Sequence, residues 1–118
     1  LGCGRVFEGT MAQMWASLSK LAALPADTLV CSGHEYTQSN ARFALTIEPG
    51  NAALQARAEA VDRARAEGLP TVPSRLAEEL ATNPFLRAGR PEVKRAMGME
   101  GAPDAEVFAA IRQAKDRF

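Results

Sequence analysis

Apolar residues recur at helical spacing along most of this chain, and one short continuous apolar run interrupts them. Met11, Met14, Trp15, Leu18, Leu21 and Ala22 fall on one stripe. Thr10 and Gln13 stand as a capping box ahead of it, so a helix is predicted from there to about Leu24. Pro25-Ala26-Asp27 stops the helix and turns the chain into Thr28-Leu29-Val30-Cys31-Ser32-Gly33, which reads as a strand ending at a glycine. Its backbone groups need sheet partners. No second clear strand is visible, so either the strand reading is wrong or the neighbouring strands lie upstream of Leu1.

Beyond that run the pattern is helical. Thr37 to Glu48 carries Phe43, Ala44, Leu45 and Ile47, and Pro49-Gly50 ends it. Asn51 caps a longer helix to about Glu67, with Leu54, Ala58 and Val61 as a narrow apolar seam and Gly68 as its stop. The prolines of Leu69-Pro70-Thr71-Val72-Pro73 force extended backbone. Ser74 then caps a short helix from Arg75 to Thr82, which Asn83-Pro84 stops, and Phe85 and Leu86 are expected to be buried. Pro91 to Met97 reads as one more short helix, Gly98, Gly101 and Pro103 as a loop, and Asp104 to Arg117 as the final helix. The chain is therefore expected to be mainly α, with a boundary near Thr37 where the strand-bearing segment gives way to helices.

Composition narrows the function classes. With 118 residues the chain makes one ordinary domain or part of one. Lys plus Arg and Asp plus Glu balance at 14 each, which leaves no broad basic surface for nucleic acid. No apolar run approaches the roughly 20 residues that span a bilayer. Two cysteines, Cys3 and Cys31, are too few for a disulfide framework and suit a reducing compartment such as the cytoplasm; each reads as a small buried thiol. The first residue is Leu1, with no signal-peptide pattern behind it, and the N-terminus reads as a trimmed end.

The chemistry-bearing candidates are few. His34, the single histidine, follows Ser32-Gly33 at the end of the apolar run, with Glu35 and Tyr36 beside it. A neutral imidazole fixed in this way suits a borderline metal such as zinc, but a metal centre needs at least three protein ligands. Either His34 is not a ligand or its companions lie upstream of Leu1. A Cys31/His34 nucleophile pair is weak, because a three-residue separation in a strand sends the side chains to opposite faces. In the final helix Val107, Phe108, Ile111, Ala114 and Phe118 form an apolar stripe, Lys115 falls inside that sector and Arg112 on its edge, and Gln113 and Arg117 take the solvated side. The two cations either serve the helix C-terminus and snorkel, or lean over a cleft to pair with an anionic ligand. Arg5 and Phe7, one cation and one ring, sit in the glycine-punctuated loop Leu1–Gly9.

Four stretches, in order and spanning nearly the whole chain, resemble glyoxalase II, the hydroxyacylglutathione hydrolase family of the metallo-β-lactamase superfamily. They are Gly2-Cys3-Gly4-Arg5-Val6-Phe7-Glu8-Gly9-Thr10; Cys31-Ser32-Gly33-His34-Glu35-Tyr36-Thr37; Pro70-Thr71-Val72-Pro73-Ser74-Arg75 running into Thr82-Asn83-Pro84-Phe85; and Arg112-Gln113-Ala114-Lys115-Asp116. The resemblance implies a helical glutathione-binding domain over residues 37–118, and a helix–strand remnant of an αββα metallo-β-lactamase domain over residues 1–36. It implies hydrolysis of S-D-lactoylglutathione to glutathione and D-lactate at a binuclear metal centre of zinc, with iron or manganese as alternatives. By position, His34 would be a metal ligand at the substrate site, and Arg5, Tyr36, Arg112 and Lys115 would contact glutathione. Phe7 stands where relatives carry tyrosine. The rest of the family's histidine- and aspartate-rich metal motif would precede Leu1, so this chain alone is expected neither to bind metal tightly nor to turn over substrate. A related thioester hydrolase and a non-catalytic helical module, whose Met14/Trp15/Leu18 stripe packs against a partner, are the rival readings.

Overall fold

The computed structural model describes all residues, Leu1–Phe118. Six helices and one two-stranded ladder follow in the order α1 (Met11–Ala22), β1 (Leu29–Val30), α2 (Thr37–Ile47), α3 (Ala52–Ala66), β2 (Ser74–Arg75), α4 (Leu76–Thr82), α5 (Pro91–Ala96) and α6 (Asp104–Arg117). The mainly helical class follows from the sequence pattern, and α6 has the predicted bounds.

Local chemistry explains the helix ends. Thr10 Oγ1 accepts from the Gln13 amide at 3.1 Å and Gln13 Oε1 accepts from the Thr10 amide at 2.8 Å, which completes the capping box of α1. Asn51 Oδ1 accepts from the Leu54 amide at the start of α3. At the other end of α3 the Gly68 amide donates to the Arg65 carbonyl and the Leu69 amide to the Ala64 carbonyl, a Schellman motif that needs the positive φ of +71° at Gly68. Gly98 closes α5 in the same way.

Phe43, Phe85, Val93, Val107, Phe108 and Ile111 form the heart of the core. The Phe85 ring lies between Phe43, at 5.9 Å, and Phe108, at 6.3 Å. α1 packs on α6, where Trp15 meets Phe108 at 5.8 Å, and α2 packs on α3. Met11, Met14, Trp15 and Leu18 are only partly buried, while Leu21 is exposed, so the stripe of α1 is a covering layer and not a sealed core.

Several expectations are corrected. The strand is two residues long, and its partner is inside the chain: Leu29 pairs with Arg75 and Val30 with Ser74, antiparallel. Amides of Leu76 and Ala77 extend the contact to the carbonyls of Thr28 and Ala26. Ser74 is therefore a ladder residue and not a helix cap, and its Oγ donates to Glu79. The other edge of β1 is open, and Leu29 is 59% exposed. Cys31 is exposed rather than buried, because the ladder stops at Val30 and leaves it on the open tip. Leu86 is half-buried while Phe85 is sealed. Phe118 lies past the end of α6; its ring meets Phe43 edge-on at 5.5 Å but stays largely exposed. The seam of α3 contains Arg57 as well as Leu54 and Val61, a buried charge that the apolar pattern concealed.

Candidate functional site

Four remote pieces of chain converge on one cleft of about 780 Å³: the loop Leu1–Phe7, the tip Ser32–Asn40 that runs into α2, Val72 just before β2, and the C-terminal half of α6. Arg5, Phe7, His34, Tyr36, Arg112 and Lys115 all line it. No aspartate or glutamate does.

The tip is fixed from behind. Glu35 accepts from the Thr71 amide at 2.9 Å and from the Thr71 hydroxyl, and these hydrogen bonds hold its carboxyl below the usual range. Both carboxylate oxygens are thus committed to the extended segment Leu69–Pro73, which contains a cis Val72–Pro73 bond. With Glu35 turned toward Thr71, its neighbours His34 and Tyr36 are left exposed, and their rings stack at 5.1 Å, 5° from parallel. The imidazole is open to solvent, not sealed in hydrocarbon.

On α6 the two cations differ. Lys115 is half-buried, its Nζ 5.4 Å from the Phe118 ring centroid and 6.0 Å from that of Phe43. Its stem lies along apolar surface while the ammonium reaches the cleft. Arg112 is only 4% exposed. Its guanidinium lies over the Phe85 ring at 4.9 Å, its Nη1 donates to the Cys3 carbonyl at 2.7 Å and its Nη2 to Asp116 at 2.9 Å. The Nε has no partner in the chain. Arg112 therefore does not lean freely over the cleft; most of its donors already bind protein. Asp116 also lies 3.7 Å from the Nε of Arg5, whose side chain is otherwise in solvent. Phe7 is 86% exposed at the rim. Half-burial pushes the Cys3 thiol up, although its hydrogen bond from Arg112 opposes this.

Nowhere in the chain do three His, Cys, Asp or Glu side chains gather as a metal site would require. The residues present do not hold a metal by themselves.

Sequence reasoning missed the polar groups that hold the cleft in shape: Thr71, which grips Glu35, and Asn40 and Asn83, whose side chains bind backbone carbonyls of the Leu1–Gly9 loop. Asn83 preceding Pro84 reads locally as a helix stop, which it also is. No local pattern announces its second role.

Along its whole length the chain is similar to known proteins. The chain is 70% identical over 118 residues to the hydroxyacylglutathione hydrolase of Ruegeria pomeroyi, 64% to that of Cereibacter sphaeroides and 63% to that of Methylococcus capsulatus. In each case the whole chain is matched but only 46% of the relative, so the chain spans about half the length of these proteins. No helix is long and apolar enough to cross a membrane. A sequence model described as the hydroxyacylglutathione hydrolase C-terminus matches residues 35–118, and the chain belongs to that family.

Proposed function

We propose that this chain is the substrate-holding C-terminal part of a glutathione-thioester hydrolase of the S-D-lactoylglutathione type. The observation that carries the reading is the charge of the cleft: Arg5, Arg112 and Lys115 line it and no carboxylate does. Glutathione brings two carboxylates, and cations in a partly desolvated cleft favour such a ligand. Lys115 offers an ammonium without an ion-pair partner in the chain, Arg5 offers a guanidinium mostly in water, and the stacked His34 and Tyr36 offer flat surface across the cleft.

In this reading residues 1–36 are the tail of the catalytic domain and residues 37–118 the domain that holds glutathione. The upstream segment would supply the remaining metal ligands, and His34 would join them. A zinc pair, or iron or manganese, held there would lower the pKa of a bound water. The contribution of this chain is to fix the glutathione end, so that attack on the thioester becomes effectively intramolecular. Leu21, Leu24 and Leu29, all exposed, fit a surface covered by that upstream segment, and the two free thiols fit a reducing compartment such as the cytoplasm.

The test is kinetic. The isolated chain, assayed with zinc and a glutathione thioester, shows no turnover, whereas protein of the relatives' full length does. In the latter, Lys115→Ala raises KM about tenfold with kcat little changed, the loss of one charge-assisted contact of roughly 1.5 kcal/mol. Unchanged KM for the glutathione thioester would sink the reading.

A further inference from the structure

Arg5 and Phe7 have little around them to fix where they stand. Phe7 is mostly in solvent, and the nearest ion-pair partner of Arg5 is 3.7 Å away. Their position is decided at the root of the loop, two to six residues earlier. There, three consecutive carbonyls each accept from a side chain of a different part of the helical domain. Asn40 Nδ2, on α2, donates to Leu1 O at 2.8 Å; Asn83 Nδ2, just after α4, donates to Gly2 O at 2.8 Å; and Arg112 Nη1, on α6, donates to Cys3 O at 2.7 Å.

The donors are themselves held. Asn83 is 3% exposed; its Nδ2 also donates to Glu79 Oε2 at 3.0 Å, and its Oδ1 accepts from the Phe85 amide at 3.0 Å. The loop fits against them closely. Gly2 has φ +96°, and a Cβ there would lie 2.3 Å from Asn40 Nδ2, so only glycine allows the approach.

We propose that Asn40 and Asn83 are positioning residues: together with Arg112 they clamp the Leu1–Cys3 backbone to three helical elements, and this sets where Arg5 and Phe7 meet the glutathione end of the substrate. The clamp rests on the glutathione-thioester reading of the cleft and adds to it a means by which the helical domain shapes the arm opposite its own Lys115. Without the clamp the arm is still present, but the ligand must order it on binding, which weakens binding more than it slows the bond-breaking step.

Asn40→Leu, in protein of the relatives' full length, is the informative variant. Asn40 is half-buried, and leucine keeps its approximate shape, removes the donor and adds no charge. KM for a glutathione thioester rises roughly three- to tenfold with kcat within about twofold, the range expected for one lost hydrogen bond. Hydrogen exchange of residues 1–9 quickens while that of α2 does not. In an Arg5→Ala background the same substitution raises KM much less, because its effect passes through the arm. Gln38→Ala, two residues away on α2 and bonded to Asp62, leaves KM unchanged. An equal rise in KM in both backgrounds, or a lower Tm with KM unmoved, overturns the positioning role. If Lys115→Ala raises KM and Asn40→Leu does not, only the clamp falls. If neither moves KM, the glutathione reading falls and the clamp with it.

Discussion

Arg57 Nη2 lies 2.6 Å from Glu79 Oε1, and both side chains are almost wholly buried between α3 and α4. Arg57 Nη1 also donates to Thr82 Oγ1, and Glu79 accepts from Ser74 Oγ, Asn83 Nδ2 and the Leu1 backbone nitrogen. Every polar atom of the carboxylate is engaged, the condition under which a buried ion pair persists. The pair joins α3, α4, β2 and the loop that forms one wall of the cleft. Arg57→Met should lower stability by about 3–5 kcal/mol, since it leaves a buried carboxylate without its main partner. Urea denaturation checks this, and a loss under about 1 kcal/mol contradicts it.

The same carboxyl gives a pH dependence. Burial alone would raise its pKa, but the Arg57 hydrogen bond and charge outweigh burial and hold it well below the ordinary 4.5. A folded-state pKa below the unfolded one means that the contribution is fully present above pH 4.5 and is lost as pH falls below it. Stability should therefore fall with acidification, by roughly 1.4 kcal/mol for each pH unit by which the carboxyl is held down. In Glu79→Gln the same acid titration should be flatter; equal slopes in the two proteins exclude Glu79 as the source.

Gly68 isolates a purely conformational cost. Its φ is +71° and nothing lies within 4 Å of where a Cβ would stand, so Gly68→Ala meets no clash and only the left-handed penalty. The expected loss is about 1 kcal/mol, a drop in Tm of about 4 °C. Gly50, equally open but without a positive φ, is the control, and Gly50→Ala should be neutral or slightly stabilising.

What the sequence revealed and what it hid divide by range. The capping box at Thr10, the stop at Gly68 and the bounds of α6 depend on residues a turn apart, and each was legible. The partner of β1 was not, because Ser74–Arg75 is a polar pair with no alternation and its pairing is set by tertiary contact. Cys31 reads as a core thiol for the same reason: an apolar run looks buried until the length of its ladder is known. Arg57 sits three residues after Leu54, on the buried seam, but a charge at that spacing reads as a flank until Glu79 is seen across from it. The cleft shows the same division. Its six expected residues meet; spacing singled out His34, Arg112 and Lys115 one by one, but only the resemblance put them with Arg5, Phe7 and Tyr36 in one site. The amides that hold the loop had no local signature at all.

Phe7 offers a gain-of-function test. It lines the cleft and is 86% exposed, so a para hydroxyl has room and costs no packing. If the rim contacts glutathione, Phe7→Tyr adds one hydrogen-bonding group to that contact, and KM for a glutathione thioester should fall about two- to fivefold. Tm should stay within about 1 °C, because little of the ring is buried. A higher KM would mean that the rim prefers a purely apolar contact.

Thr71 separates the support of the tip from its chemistry. Its amide and hydroxyl hold both oxygens of Glu35, and neither Thr71 nor Glu35 is among the residues that line the cleft. Thr71→Val keeps the β-branched shape and removes the hydroxyl donor, while the amide bond remains. Because Glu35 is near the surface, its freed oxygen can turn to water, and global stability should fall by only about 0.5–1.5 kcal/mol. The local consequence should be larger: the backbone of residues 33–36 loses one of two anchors, so its amides exchange faster while those of α2 and α6 do not. The stacked pair His34 and Tyr36 then samples more orientations, and a site that depends on their fixed placement binds its ligand less tightly. If the tip's exchange is unchanged in Thr71→Val, the amide bond alone suffices and the hydroxyl is dispensable.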